Sequence, residues 1–355
     1  MDSVDSLRER DLKILNFIVG SYLRDGRPVS SKSIAGSGCV GSSPATIRNV
    51  MVKLEAIGYL SQPHASAGRI PTDQGLRQYV NNILPRKASR EDKESTPIFL
   101  ETMSSRRWDF GLLLSQASRV LADSSDNLGF VISPHISRVQ FQTVRLVKIS
   151  DENILIIVVT PFNMVLTESI RTELVISQQD LDRAGHFIND NFRGKTLESV
   201  RQTLLEELPR YRMKFEDMIN KLIDIVRASV IYDEGENRIF FQGTASLLEK
   251  ADRFDWDKLR HLFRGIEEKA SLVRLLSELI SLDRVKVLIG SEVDIPDIQD
   301  CSLVLSHYGY GNQILGSLGI IGPKRIPYDR IIPLVDRVAR RLSHAIAVCS
   351  KEVSI

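Results

Sequence analysis

The segment "SSPATIRNVMVKLEAIGYLSQPHASAGRIPT", residues 42–72, decides the fold of the N-terminal region. Ser43 stands at an N-cap position and Pro44 at the first helical position, which together predict the start of a helix. Apolar side chains then recur at helical spacing and predict one buried face. This face is formed by Ile47, Met51 and Leu54.

The residues after this helix predict a hairpin. Gly58 ends the helix, and the runs "YLSQ" and "GRIPT" are typical of two short strands joined by "PHASA". An amphipathic helix precedes the segment and stops before Gly26 and Pro28, and Thr72 is placed to cap a further helix. The pattern therefore predicts a helix-turn-helix followed by a β-wing.

The polar side chains of this region suit DNA. A recognition helix needs short polar residues near its N-terminus to reach base edges, and a wing needs polar groups that approach the backbone or the minor groove. The helix offers Ser43, Thr46, Arg48 and Asn49, and the hairpin offers Gln62, His64, Ser66 and Arg69, with Gly68 for close approach. Arg can address guanine, and Asn adenine. A protein-interaction module with the same helices is the alternative interpretation.

Composition restricts the other possibilities. The chain has 355 residues, 43% hydrophobic and 26% charged, which is enough for two or three folded domains. The first residues lack the apolar core of a signal peptide, and the longest apolar run, "ILIIVV", is too short for a membrane span. A cytoplasmic location is expected. With a net charge of only +2, attraction to DNA must come from local clusters of basic residues.

The remaining chain reads as an α+β multidomain protein. Residues 85–97 are polar and bracketed by prolines, which predicts a linker. Short β-rich runs follow, then a mostly helical region that contains the strand-like "RIFFQG", and then further strands and a final amphipathic helix. A sheet that is interrupted by helices and later resumed indicates one domain inserted within another.

Several motifs in this order resemble one family. "SPATIRN", "QPHASAGRIPT" and "GLRQYV" resemble the winged-helix signature of the bacterial heat-inducible transcription repressor family, HrcA. "LGSLGIIGPKRIPYDRIIPLVD" near the C-terminus and "IGSE" at residues 289–292 are similar to other segments of that family. Val50 and Ser30 depart from the family pattern, which usually has an acidic residue and a glycine there.

The resemblance implies a specific architecture and function. It implies a winged-helix DNA-binding domain (1–84), a linker (85–97), a GAF-like domain in two parts (98–176 and 284–355) and an inserted, mostly helical dimerising domain (177–283). Family members look like homodimers that bind double-stranded DNA at an inverted-repeat operator, the CIRCE element, and repress chaperone operons until heat stress. The GroE chaperonin is the further partner implied. The eight polar residues of the helix and wing, together with Gly68, are carried over as DNA contacts, and a nucleoid association follows.

Other functions are less well supported by the residues. The six histidines are scattered, the three cysteines are widely spaced, and no catalytic or metal-ligand motif is present, so no enzyme activity, metal or cofactor is expected. A regulator whose GAF-like domain senses a small molecule is the alternative. Two apolar helical stretches could form either the dimer interface or an internal core. They are Phe187, Ile188 and Phe192, and Met218, Ile219, Leu222, Ile223 and Val226.

Overall fold

The N-terminal part of the chain forms a winged helix. The computed structural model describes residues 7–38, 40–64, 67–87, 110–134, 139–160, 165–172, 176–206, 239–244, 285–311 and 313–351. The first three ranges form what we call the winged-helix unit. Its elements are α1 (Glu9–Asp25), α2 (Ser31–Gly36), α3 (Pro44–Ala56), β1 (Leu60–Ser61), β2 (Ile70–Pro71) and α4 (Asp73–Lys87). The predicted order of helices and hairpin is confirmed.

The turn after α1 adds a third extended segment to the wing. Gly26 ends α1 in the left-handed conformation, with φ of 69°, and its N–H donates to Tyr22 O. Val29 and Arg69 then exchange two backbone hydrogen bonds, each with an N to O distance of 2.9 Å. The base of the wing is therefore attached to the segment between α1 and α2.

A second unit is built around an antiparallel five-stranded sheet, and we call it the large-sheet unit. Its elements are α5 (Phe110–Ser125), β3 (Leu128–Ile132), β7 (Ile239–Gln242), β8 (Val285–Ile289), β9 (Cys301–Tyr310), β10 (Gln313–Pro323) and α8 (Tyr328–Lys351). The strand order is β7-β3-β10-β9-β8. Helices α5 and α8 contact each other and pack on this sheet. The apolar stripe predicted on the last helix is buried, at Ile331, Val335, Val338, Leu342 and Ile346.

A third unit, the small-sheet unit, has a separate core. It consists of β4 (Thr143–Lys148), β5 (Asn153–Val159), β6 (Val165–Arg171), α6 (Gln178–Phe192) and α7 (Leu197–Glu206), with strand order β4-β5-β6. Helix α6 is tied to β4 through the Asn189 amide, which bonds Val144 N at 2.8 Å and Val144 O at 2.9 Å. Ile188 and Phe192 lie in this core, so they pack within the unit, whereas residues 218–226 lie outside the described ranges.

The domain limits expected at residues 176 and 283 stay predictions, and the strands on either side of them pair in two separate sheets. Strands β4–β6, expected in the GAF-like part, form a sheet of their own with α6 and α7. Strand β7, expected in the inserted part, pairs with β3 of the large sheet. Strand propensity is local, whereas the choice of a pairing partner depends on distant residues. Helix α4 also continues through residues 85–87, where the linker was expected to begin.

The winged-helix unit and the large-sheet unit share one apolar core. Helix α4 contacts both β8 and α8. Leu76 and Val80 of α4 are buried in the same cluster as Val287 of β8 and Tyr328 and Ile331 of α8. Burial of apolar surface on both sides therefore joins the winged-helix unit to the large sheet.

Candidate nucleic-acid interface

Helix α3 has one buried face and a well-defined start. The Ser43 hydroxyl accepts a hydrogen bond from Thr46 N at 3.2 Å, and Pro44 occupies the first turn. This cap satisfies one of the free N–H groups at the helix start. The back of the helix is buried through Ile47, Val50, Met51 and Leu54. Val50, one of the departures from the family pattern, therefore contributes to the core.

The opposite face of α3 presents polar groups to solvent. Ser43, Arg48 and Asn49 are exposed and Thr46 is half-buried. The Thr46 hydroxyl lies 2.9 Å from the Ser43 hydroxyl, so these two side chains form a pair at the helix start. Arg48 and Asn49 follow within one turn, and both can reach outward. All four residues predicted on the helix thus lie together, in the arrangement that a recognition helix requires.

The tip of the wing is only partly described. His64 is exposed, and its backbone O accepts from Ala67 N at 2.8 Å, which closes the turn. Gln62 is half-buried and its side-chain Nε2 donates to Ala67 O at 3.0 Å, so it braces the hairpin from inside. Ser66 lies outside the described residues. Of the wing residues predicted to contact DNA, His64 is therefore the one whose described side chain is exposed.

Arg69 points into the molecule. Its Nε and Nη2 atoms lie 2.9 Å and 2.8 Å from Glu55 Oε2, and only 15% of its side chain is exposed. Glu55 lies in the last turn of α3, so this ion pair ties the base of the wing to the end of the recognition helix. Sequence reasoning predicted Arg69 and missed Glu55, because no local pattern links residues that far apart in a chain.

Gly68 is also explained by an internal contact. A side-chain carbon placed on Gly68 would overlap the backbone O and C of Val29. The sequence interpretation reserved this glycine for close approach to DNA. In the structure the close approach is that of the neighbouring backbone, which forms the Val29–Arg69 bridge beside it.

The basic side chains of the region are not equivalent. Lys53 Nζ lies 2.8 Å from Asp11 Oδ2, and the Asp11 side chain is 3% exposed. A buried carboxylate needs such a partner, so Lys53, near the end of α3, neutralises the Asp11 carboxylate of α1. Arg27, Lys32 and Arg48 are exposed. The positive charge available to a phosphate backbone therefore comes from these three residues more than from Lys53.

These features define a class of protein. Three helices, a short hairpin, and a polar recognition helix with a buried back form a winged helix-turn-helix, so the chain is a DNA-binding regulator. The model of the HrcA winged helix-turn-helix DNA-binding domain matches residues 6–82, and the model of the HrcA C-terminal domain matches residues 112–332. The chain belongs to the HrcA family of heat-inducible transcription repressors.

Individual relatives agree over almost the whole chain. A heat-inducible transcription repressor HrcA of Geobacter sulfurreducens is 33% identical, covering 95% of this chain and 97% of the relative. The protein of the same name in Nitrosomonas eutropha is 35% identical, with 95% and 99% covered. A crystal structure of a hypothetical protein at 2.2 Å resolution superposes with a TM-score of 0.63 at 25% identity, covering 97% of this chain and 100% of that one.

The described helices are not of a membrane-spanning kind. Within the ranges that the structure describes, none combines the length and the apolar character that a bilayer crossing requires. This observation agrees with the ordinary mixture of charged and apolar residues along the chain.

Proposed function

We propose that this chain represses class I heat-shock (chaperone) operons by binding, as a homodimer, an inverted-repeat CIRCE operator. The observation that carries the proposal is the exposed polar face of α3, which is held on the unit by a fully buried back. Membership of a family of heat-inducible transcription repressors supplies the regulatory context. The protein then acts in the cytoplasm, on the nucleoid.

The direct contacts are assigned by chemistry and exposure. Arg48 and Asn49 read base edges, since guanidinium and carboxamide groups bind guanine and adenine in bidentate fashion. Ser43 and Thr46 lie at the start of α3, where the free N–H groups and the helix dipole favour a phosphate. In the wing, His64 contacts the DNA backbone or minor groove. Gln62, Gly68 and Arg69 act indirectly by shaping the wing, and Ser66 stays a predicted contact at its tip.

Dimerisation and heat release complete the proposal. One winged helix reads only a few base pairs, and a two-fold pair of them matches an inverted repeat. Folded domains are only marginally stable, so warming increases the unfolded population that cannot bind DNA. Assistance by the GroE chaperonin would then restore active repressor, and chaperonin occupied by other clients would leave the operons expressed.

The test compares operator and scrambled duplexes over a range of salt concentrations. We expect preference for the inverted repeat and a steep loss of affinity with salt, since phosphate contacts release counter-ions. Arg48→Ala should cost about 1–3 kcal/mol of binding free energy and blur preference at one or two positions in each half-site. Arg119→Ala is the matched control, because this arginine is 75% exposed on α5 of the large-sheet unit. Equal binding by wild type and Arg48→Ala would refute the orientation of α3.

A shallow groove of the large-sheet unit is the place where the second candidate function, ligand sensing, would have its site. The groove is open to solvent, has a volume of about 350 Å³, and is lined by the end of the β9–β10 hairpin and by α8. Ser343 in its wall already accepts a hydrogen bond from Gly309 N at 3.0 Å and donates to Ala339 O at 2.9 Å. A metabolite that raises the melting temperature and also alters operator affinity would favour this candidate.

A further inference from the structure

Two turns of the large-sheet unit hold the first turn of α4, and DNA contact does not explain them. One turn is "IGSE", residues 289–292, which begins at the last residue of β8, and the other is "GPKR", residues 322–325, which begins at the last two residues of β10. Both were singled out in the sequence for their resemblance to family signatures. In the structure they lie against α4 and the end of α1, which belong to the winged-helix unit.

Asp73, the first residue of α4, binds both turns. Lys324 Nζ lies 3.0 Å from Asp73 Oδ1 and 3.1 Å from Oδ2. Asp73 Oδ2 also accepts a hydrogen bond from Ser291 N at 3.2 Å. The Lys324 and Asp73 side chains are 30% and 28% exposed, so solvent screens the pair only in part.

Arg77, one turn further along α4, makes a second and more directional contact. Its Nε donates to Glu292 Oε1 at 2.7 Å, and its Nη2 donates to Val287 O at 2.6 Å and to Glu292 Oε2. Glu292 Oε2 in addition accepts from Ile289 N at 2.9 Å, so the carboxylate that binds Arg77 also holds its own turn. A planar guanidinium bonded in this way restricts rotation as well as distance.

Two glycines lie directly beside charged side chains of the facing unit. Gly290 has a φ of 57°, and a side-chain carbon there would overlap the Asp73 carboxylate. On the other side, the Arg325 guanidinium lies where a side chain of Gly26 would stand. The positive φ of both residues, 69° at Gly26 and 57° at Gly290, favours glycine there, and the ends of the Arg325 and Asp73 side chains occupy the space beside them.

The contact reaches the recognition helix through two neighbouring residues. Thr72 Oγ1 donates to Gly58 O at 2.6 Å, two residues after the end of α3, and Thr72 N donates to Tyr59 O at 3.1 Å. Thr72 also caps α4 by accepting from Gly75 N at 3.2 Å. Thr72 therefore contacts the residues that follow α3, and Asp73, the next residue in the chain, contacts the large-sheet unit. The two sets of contacts are made by adjacent residues.

We infer that Asp73 and Arg77 are positioning residues that set the orientation of the recognition helix relative to the large-sheet unit. The shared apolar core favours contact between the two units but does not by itself fix their relative orientation. Ion pairs with fixed geometry select one orientation. This inference rests on the proposed function, since in a dimer the orientation of each unit determines the distance between the two recognition helices. That distance must match the spacing of the operator half-sites.

The experiment measures affinity of the full chain for inverted repeats with different spacer lengths and for a single half-site. Wild type should prefer one spacer. In Lys324→Glu, repulsion from Asp73 should reduce this preference about tenfold, as expected for loss of a coupling between units, while half-site affinity stays unchanged. Adding Asp73→Lys to that variant restores opposite charges and should recover part of the preference, since the hydrogen bond from Ser291 N to Asp73 is lost. Lys324→Gln removes the attraction to Asp73 without adding repulsion, and it replaces Lys324→Glu in the test if that variant fails to fold.

Lys148→Glu is the matched control. It makes the same charge change in another lysine–aspartate pair, with Lys148 Nζ 2.8 Å from Asp151 Oδ1 in the small-sheet unit. It should leave the spacer preference intact. Wild-type spacer preference in folded Lys324→Glu and Lys324→Gln, or no recovery in the charge-swapped variant, overturns the inference. If wild type itself does not distinguish an inverted repeat from a half-site, the proposed function fails instead.

Discussion

Replacing Arg69 by Met tests whether the wing is held from inside the molecule. Methionine keeps an apolar stem of similar length and removes the guanidinium that binds Glu55. We expect Arg69→Met to lower the free energy of unfolding and to weaken operator binding as a consequence. The reason is that the base of the wing loses its attachment to the end of α3, so the tip no longer has a defined place beside the recognition helix.

The exposure of the two partners sets the magnitude. The Arg69 side chain is 15% exposed and that of Glu55 is 33% exposed. A fully exposed ion pair contributes about 0.2–1 kcal/mol, and removing one partner of a buried pair costs about 3–5 kcal/mol. Because the Glu55 carboxylate keeps contact with water, we expect Arg69→Met to cost about 1–2 kcal/mol of stability.

Glu55→Gln should change operator affinity in opposite directions, depending on whether Arg69 binds Glu55 or contacts DNA directly. Removing a negative charge near DNA strengthens binding to phosphates if nothing else changes. If Glu55 anchors Arg69, Glu55→Gln should instead weaken operator binding about fivefold, which corresponds to about 1 kcal/mol. The double variant Arg69→Met, Glu55→Gln should then cost less than the sum of the single changes.

Urea unfolding and fluorescence anisotropy with labelled operator provide the two measurements. Both are made on the full chain at the same salt concentration, since ion pairs and DNA binding each depend on salt. An Arg69→Met protein with unchanged stability and at least tenfold weaker binding, together with tighter binding by Glu55→Gln, would show that Arg69 contacts DNA directly.

Three further changes have defined outcomes. Ser43→Ala removes the cap of α3 and should cost about 1 kcal/mol of stability in urea unfolding; unchanged stability would show that the cap contributes nothing. Gly68→Ala should lower the unfolding midpoint, because the added carbon overlaps the Val29 backbone. The control is Gly36→Ala, whose added carbon meets no atom within 4 Å and should leave the midpoint unchanged or raise it. Equal midpoints for the two variants would contradict the steric argument. Tyr328→Phe removes hydrogen bonds to Ser302 Oγ and Lys324 O and should cost about 1–3 kcal/mol, because buried partners lose their bonds; a melting temperature equal to wild type would disprove this.

The local features of the fold could be predicted from sequence because they depend on near neighbours. Ser43 and Pro44 mark the start of α3, Thr72 marks the start of α4, and the periodic apolar residues identify the buried helix faces. The run "RIFFQG" was identified as a strand in the same way. In each case the deciding residues lie within about one turn or one strand of each other.

The arrangement of strands and the internal ion pairs could not be predicted, because their partners are distant in sequence. Strand β3 pairs with β7 and β10, and not with β4, the next strand along the chain. Nothing near Arg69 indicates that Glu55 will receive its guanidinium. The helix residues Arg48 and Asn49 were easier to recognise, since their exposure follows from the period of α3 itself.

The common core of the winged-helix and large-sheet units has a consequence for how the molecule melts. Leu76 and Val80 cannot leave their places without opening a void beside Val287 and Tyr328. The two units should therefore unfold in one cooperative step. Warming that unfolds the large-sheet unit should then also unfold the winged-helix unit, so no folded winged helix remains bound at a promoter.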